Sequence, residues 1–524
     1  MDKELIIERT GRRRASRGHD QASFDRNIAQ TAKGGGVVLA GRSFAIFTRL
    51  VIAILLARLL GAEQYGLYNL ALTAATIVSG LAVLGLDVGL VRYVATYASR
   101  RDERGLWGII QIGIGLPLVV SLMLGAGLAM LATPIAEGIF HEPRLAPLLQ
   151  LAGFAVPSLT LIEMIASATR GFKNMHYTVI SRYLCQPFVR VAAMVGFAVF
   201  VGLTAGLAIV AFIIAGLVGS TLLFYFLNKQ FSLRRPFSAA RRDFREILTF
   251  SLPSYLASVI GNFSGSIQTI ALGTLTTITH VGVFSVAGHI NLVSQLMQSS
   301  VTTSAMPVMA ELYDRADRSQ LARFYQVTSR WTFTLVFPLF LIVFLFPEML
   351  LSIFGESFVE GAEVLMLLAW SNLVSVGTGT CGVMLDMTGH TRLKLVNTIV
   401  TVATTIGLNL LLIPQLGMVG AAYAALIGSS IVNGLRLVQV FIVLRILPYN
   451  ASYLRPLLAG LIALLVSLFS GQALAGLPIL VLVLLQGAVL VAAYGALLLA
   501  LGLGPEEQML LERLLRRMRV VSRR

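Results

Sequence analysis

The sequence predicts an all-α polytopic membrane protein: about fourteen transmembrane helices, two six-helix pseudo-repeats followed by two more spans, with both termini cytoplasmic. Three observations lead there. Of 524 residues, 56% are hydrophobic and 13% charged, and the mean hydropathy is +0.81. Apolar runs of about 18 or more residues, long enough to cross a bilayer, recur from Gly34 almost to Gly504. Most of the 41 Lys and Arg residues concentrate in the two tails and in alternate connections.

Residues 1–33 are polar and basic, with no apolar core ahead of a small-residue cleavage site, so a disordered cytoplasmic arm is expected rather than a signal peptide. Apolar segments then centre near residues 47, 78, 119, 157, 190, 216, 260, 293, 340, 375, 403, 430, 465 and 490. Connections carrying RRDER at 100–104 and the stretch from Lys229 to Arg245 alternate with connections almost free of Lys and Arg. The second set carries Glu137, Glu142, Glu356, Glu360 and Glu363, with Arg144 as its exception. The basic set is therefore cytoplasmic, and the net charge of +16 is mostly a topology signal.

Internal echoes divide the chain. Tyr65-Gly66-Leu67-Tyr68 is echoed by Val281-Gly282-Val283-Phe284, an offset of about 216 residues. Gly171 with Gly389, and Gly206 with Gly420, repeat at offsets within a few residues of that. The expected domains are the arm 1–33, an N-lobe 34–228, a basic linker 229–245, a C-lobe 246–445, two plain spans in 446–503 and a tail 504–524. In the tail, Pro505 opens a helix whose Leu511, Leu514, Leu515 and Met518 share one face, an amphipathic cytoplasmic helix lying on the membrane surface.

Charges inside spans mark the site. The first span, Gly34 to Leu60, carries Arg42, Arg49 and Arg58. An arginine near the centre of a membrane helix costs about 2.5–3.5 kcal/mol on insertion scales, so these face something other than lipid. Arg42 and Arg49 are nearly two full turns apart, on one face, which predicts a wet, positively charged cavity. Arg190, three residues after Pro187, and Arg436 are candidates to converge on the same site, with a structural ion pair or a snorkelling side chain as the alternative for each. Arg58 and Arg92 stand near span ends and read as anchors. Asp87, placed to pair with Arg42 or Arg92, and Glu163, six residues after Pro157, read as ion-pair partners before coupling groups.

The run Ala57-Arg58-Leu59-Leu60-Gly61-Ala62-Glu63-Gln64-Tyr65-Gly66-Leu67-Tyr68, followed by Gly85-Leu86-Asp87-Val88-Gly89 and Val91-Arg92-Tyr93, resembles the opening of polysaccharide-biosynthesis membrane proteins. These are the Wzx-like oligosaccharide-lipid flippases of the multidrug/oligosaccharidyl-lipid/polysaccharide exporter superfamily. The resemblance is sharpest over residues 34–105 and extends in span count and repeat to residue 445. It implies a V-shaped pair of six-helix lobes that alternately opens a central cationic cavity to each side of the cell membrane. The implied substrate is a polyprenyl-diphosphate-linked glycan, whose dianion an arginine fork grips bidentately. Asn262, Gln268, His289, Asn291 and Gln295 in the C-lobe are then the candidate glycan contacts, against inter-helical hydrogen bonding as the commoner use of such residues.

Other classes fit less well. A drug or organic-cation antiporter of the same superfamily would present carboxylates in its first helices, where this chain has arginines. A glycan polymerase would need substantial external loops, and these are short. No phosphate loop or HExxH occurs, the six histidines are scattered, and Cys185 and Cys381 both lie in or beside apolar segments as free thiols, so no catalytic residue, metal or cofactor is expected. No folded domain presents the basic tail to nucleic acid. The expected partners are the lipid-linked glycan, membrane lipids and a polysaccharide polymerase or glycosyltransferases, with the transporter itself a monomer.

Overall fold

The computed structural model describes residues 44–232, 265–473 and 479–502, with isolated positions at 236, 240, 247, 251 and 255. The basic arm, the amphipathic tail helix, most of the linker, Arg42 and Asn262 lie outside the described residues. Among the described residues all regular elements are helical, and nine stretches are long and apolar enough to cross a membrane. Each expected span centre except residue 260, which is outside the described set, falls within a helix.

The first helix, α1 (Phe44–Ala82), folds back on itself. Gly61 adopts a left-handed φ of 70°. Thr48 and Thr76, on its two arms, line one cavity of about 400 Å³, whereas a straight helix would hold them about 42 Å apart. A left-handed Gly85 separates α1 from α2 (Leu86–Ser99). The Asp102 carboxylate caps α3 (Glu103–Met130) by accepting the Gly105 N–H at 2.9 Å. After α4 (Ala132–Gly138) comes α5 (Ala146–Gly171). α3 and α5 touch backbone to backbone: a Cβ on Gly125 or Gly153 would stand 2.5 Å from the other's carbonyl oxygen. α6 (His176–Thr178) passes through a π-helical turn, Val179–Cys185, into α7 (Gln186–Phe200), and Thr204 caps α8 (Ala205–Gln230).

In the second half, α9 (265–275) leads to α10 (Ile278–Asp314). Asp317 opens α11 (Arg318–Leu345), accepting the Gln320 N–H at 3.0 Å and the Ser319 hydroxyl at 2.9 Å, bonds that hold its carboxyl below the usual range. α12 (Pro347–Ser352), α13 (Ala362–Gly377) and α14 (Cys381–Met387) precede α15 (Thr391–Leu444). α15 reverses at Gly417, φ 59°. The reversal lets buried Asn397 and Gln439 exchange amide hydrogen bonds of 2.8 and 3.0 Å. α16 (Leu454–Ala473) and α17 (Ile479–Ala500) pack on each other and on α11, leaving Leu458, Leu465 and Leu484 exposed.

The buried apolar residues separate by level, and that defines the shape. One cluster joins both halves, running from Leu56, Tyr65 and Leu70 through Ile278 and Val283 to Phe337, Phe358 and Leu365. Two others are built mainly from one half each: Leu90, Ile109, Ile165 and Leu223 of the first, joined by Ile247 of the second, and Met309, Tyr325, Met384 and Val440 of the second. The halves thus share one core and build their other cores largely apart, with Tyr255 of the second half still donating to the Leu81 carbonyl at 3.3 Å and Ser251 packed on Gly85. The joined end is where Gly61, Thr204 and Gly417 turn the chain. α1 and α10 cross there so closely that a Cβ on Gly66 would fall on the Ile278 carbonyl oxygen, and one on Gly282 on the Ala62 carbonyl oxygen. The two contacts are related by the same sequence offset as the Tyr65 and Val281 echo. Arg58 ties the joint further, its Nε donating to the Ile353 carbonyl at 2.7 Å. Arg144, the exception among the acidic connections, sits between Glu63 and Glu142, each at 2.7 Å, and holds the Glu142 carboxyl below its usual range.

Candidate functional site

A cavity of about 400 Å³ opens between the two arms of α1, the start of α7 and α8. The first arm contributes Thr48 and Arg49, and the second Tyr65, Tyr68, Asn69, Thr73 and Thr76, spaced three and four residues apart so that they form one polar stripe. From the π-helical turn and α7 come Arg182, Gln186 and Arg190; from α10 comes His289, reaching in from the second half of the chain. Among the described residues the lining holds three arginines and a histidine and no carboxylate.

Arg49 and Arg190, separate in sequence, therefore meet on one cavity. Neither makes an ion pair among the described residues. Arg190 is placed by aromatic side chains: Tyr68 Oη accepts its Nη2 hydrogen bond, the Phe212 ring lies 5.0 Å from its guanidinium carbon and the Tyr68 ring 5.7 Å. Its Nε is buried and has no hydrogen-bond partner among the described residues. Tyr65, 1% exposed, packs edge-on against Phe358 at 6.0 Å, so the second half of the chain buttresses this wall. His289 Nδ1 donates to the Ser285 carbonyl at 2.6 Å, which leaves Nε2 as the ring's remaining polar atom.

Arg436 does not join them. It packs against α14, its Nη1 3.5 Å from where a Cβ on Gly382 would stand. Glu163 holds two arginines, Arg182 at 2.5 Å and Arg170 at 3.1 Å, so one of the three cavity arginines is compensated. Asp87 forms no ion pair among the described residues, and its Oδ1 is buried without a hydrogen-bond partner. Of the other C-lobe amides, Gln268 Nε2 lies 3.5 Å from the Ala421 carbonyl and Asn291 Nδ2 3.5 Å from the Leu368 carbonyl, both inter-helical, and Gln295 is exposed. Arg182, Tyr65, Tyr68 and Gln186 are among the lining residues that sequence reading did not select.

A helical bundle whose two halves share one core beside an arginine-lined cavity fits a membrane transporter of the multidrug/oligosaccharidyl-lipid/polysaccharide exporter superfamily. The fold matches lipid II flippase MurJ in an inward closed conformation, with a TM-score of 0.67 at 12% identity over 88% of this chain and 97% of that one. It also matches a multidrug resistance MATE family transporter in an inward-facing conformation, with a TM-score of 0.63 at 17% identity over 76% and 94%. The chain belongs to the polysaccharide biosynthesis protein family, whose match covers residues 31–313. Among curated relatives, the stage V sporulation protein B of Bacillus subtilis is 23% identical over 463 residues, 82% of this chain and 88% of that protein. The probable low-salt glycan biosynthesis flippase Agl15 of Haloferax volcanii is 24% identical over 201 residues, 38% of this chain, and the match spans only 42% of that protein's length.

Proposed function

We propose that this chain is a flippase that moves a polyprenyl-diphosphate-linked oligosaccharide from the cytoplasmic to the outer leaflet by alternating access. The observation that carries the reading is the acid-free cavity with two uncompensated arginines. A diphosphate supplies the missing counter-charge, and Arg49 and the unsatisfied guanidinium of Arg190 are donors of the type that grip phosphate oxygens. An organic cation would meet repulsion at the same place.

On this reading fourteen spans form the two lobes and the extra pair, both termini are cytoplasmic, and the joined end faces outward. The opposite end then opens toward the cytoplasm during the cycle, where glycosyltransferases assemble the substrate, and a polymerase receives the product outside. His289 contacts the sugar nearest the diphosphate, while Gln268 and Asn291 hold helices together. No bond is made or broken. Export of each negative charge from an inside-negative cell gains about 2.3 kcal/mol per 100 mV where the charge crosses the field. The names of the Haloferax relative and of MurJ, both flippases, support the class.

The test is flipping of a fluorescent polyprenyl-diphosphate oligosaccharide in proteoliposomes, with a cationic dye as competing substrate. A charge-assisted phosphate contact is worth about 1.5–3 kcal/mol, so Arg49→Ala is expected to lower glycolipid flipping roughly 10- to 100-fold in a folded protein, and Arg190→Ala similarly. Dye transport without glycolipid movement would overturn the reading.

A further inference from the structure

Beside the cationic cavity lies a second depression of about 510 Å³, open at the protein surface and almost wholly apolar. Phe47 and Val51 of α1 form one wall; Leu184 and Phe188, from the π-helical turn and α7, form the other. Phe47 is 64% and Phe188 76% exposed, so none of the described residues covers these large rings. Thr48 and Pro187 line both spaces, and the groove is therefore the lateral continuation of the cavity.

We infer that this α1–α7 groove is the binding site for the first isoprene units of the substrate's prenyl tail, adjoining the diphosphate held at Arg49 and Arg190. The inference rests on the proposed function. Its own support is the continuity of the two spaces. A polyprenyl diphosphate changes from dianion to hydrocarbon at a single bond, and the protein changes from arginine to bare aromatic and aliphatic surface across Thr48 and Pro187. Bulk phospholipid covers apolar surface anywhere, but has no reason to be anchored at this one. Glycan, diphosphate and tail would then lie along one path, and the tail would stay in the bilayer while the headgroup crosses.

The test is photo-crosslinking to the full chain in proteoliposomes. The probe is a polyprenyl diphosphate carrying a diazirine in the isoprene units next to the diphosphate; a diazirine phospholipid serves as reference. Binding of the diphosphate probe is measured in parallel in wild type and Arg49→Ala. The inference expects adducts on Phe47, Val51, Leu184 or Phe188 that fall at least fivefold in Arg49→Ala, while phospholipid adducts at those residues do not change. Arg49-dependent binding with adducts on other helices, such as α16 or α17, would overturn the groove and leave the flippase reading standing. Equal phospholipid and diphosphate-probe labelling of the groove, indifferent to Arg49, would also overturn it. Absence of Arg49-dependent binding altogether would overturn both readings.

Discussion

Alanine at Gly66 or Gly282 should drive the joined end apart. Each new Cβ would overlap a backbone carbonyl, of Ile278 or of Ala62, and a carbonyl inside a helix cannot swing aside as a side chain can. Overpacking of this kind costs about 1–3 kcal/mol, against about 0.5–1 kcal/mol that alanine returns through helix propensity. A net of about 1.5 kcal/mol against the closed crossing shifts the balance toward a parted one about tenfold, and the two substitutions together about a hundredfold. The assay is a spin-label distance between Glu137→Cys and Glu360→Cys, two exposed positions flanking the joint from opposite halves, in a chain whose own cysteines are replaced. Gly127→Ala and Gly434→Ala, where a Cβ meets nothing within 4 Å, are the controls. An unchanged distance distribution and melting temperature in the Gly66→Ala, Gly282→Ala double variant would show that the crossing does not hold the joint.

Three further outcomes follow from particular contacts. Glu163→Gln releases Arg170 and Arg182 from one carboxylate; with side chains only 26–35% exposed, the loss should be about 1–3 kcal/mol in thermal unfolding. Asn397→Leu strands the buried Gln439 amide and should cost about 1–3 kcal/mol, whereas Asn397→Leu with Gln439→Leu should recover most of it, a coupling read from a double-mutant cycle. Because the folded Asp317 carboxyl titrates below its ordinary value of 3.8, its capping contribution is complete above that pH and disappears as pH falls through the lower folded value. Thermal shifts of wild type and Asp317→Asn should therefore differ at neutral pH and converge in strong acid.

The helices were legible because a bilayer constrains them: apolar runs of one length, and basic residues kept to alternate connections. The reversals at Gly61 and Gly417 sit between such runs and were legible for the same reason. Arg49 stood out by its cost inside a span, and so did Arg190; that they share a cavity depends on how α7 packs against α1, which no local pattern encodes. Arg436, chosen by the same criterion, lies elsewhere for that reason. Arg182 was missed because eight residues of regular α-helix would set it about 80° around from Arg190, and the π-helical turn Val179–Cys185 takes up part of that angle. A stripe of Tyr65, Tyr68, Asn69, Thr73 and Thr76 at helical spacing was there to be read, but tyrosines at such spacing more often serve a core, as Tyr65 partly does.

Arg190 separates a structural from a functional origin of the cavity charge through the sign of one stability change. An arginine kept for the fold has a counter-ion, and its removal leaves a buried carboxylate and destabilises. Among the described residues Arg190 has aromatic faces, one phenol oxygen and no carboxylate. Its desolvation is offset only in part, so the folded protein carries that cost unless the anion of the proposed function is bound. Arg190→Met keeps the aliphatic stem packed on Phe212 and removes the charge. It should raise the melting temperature, by an amount corresponding to about 1–3 kcal/mol, and abolish stabilisation by added polyprenyl diphosphate. Wild type should show the opposite pattern, lower in the absence of ligand and raised on its addition. A drop in melting temperature for Arg190→Met, on the scale expected for Glu163→Gln, would mean that Arg190 is part of the scaffold, and that Arg49 alone carries the anion site.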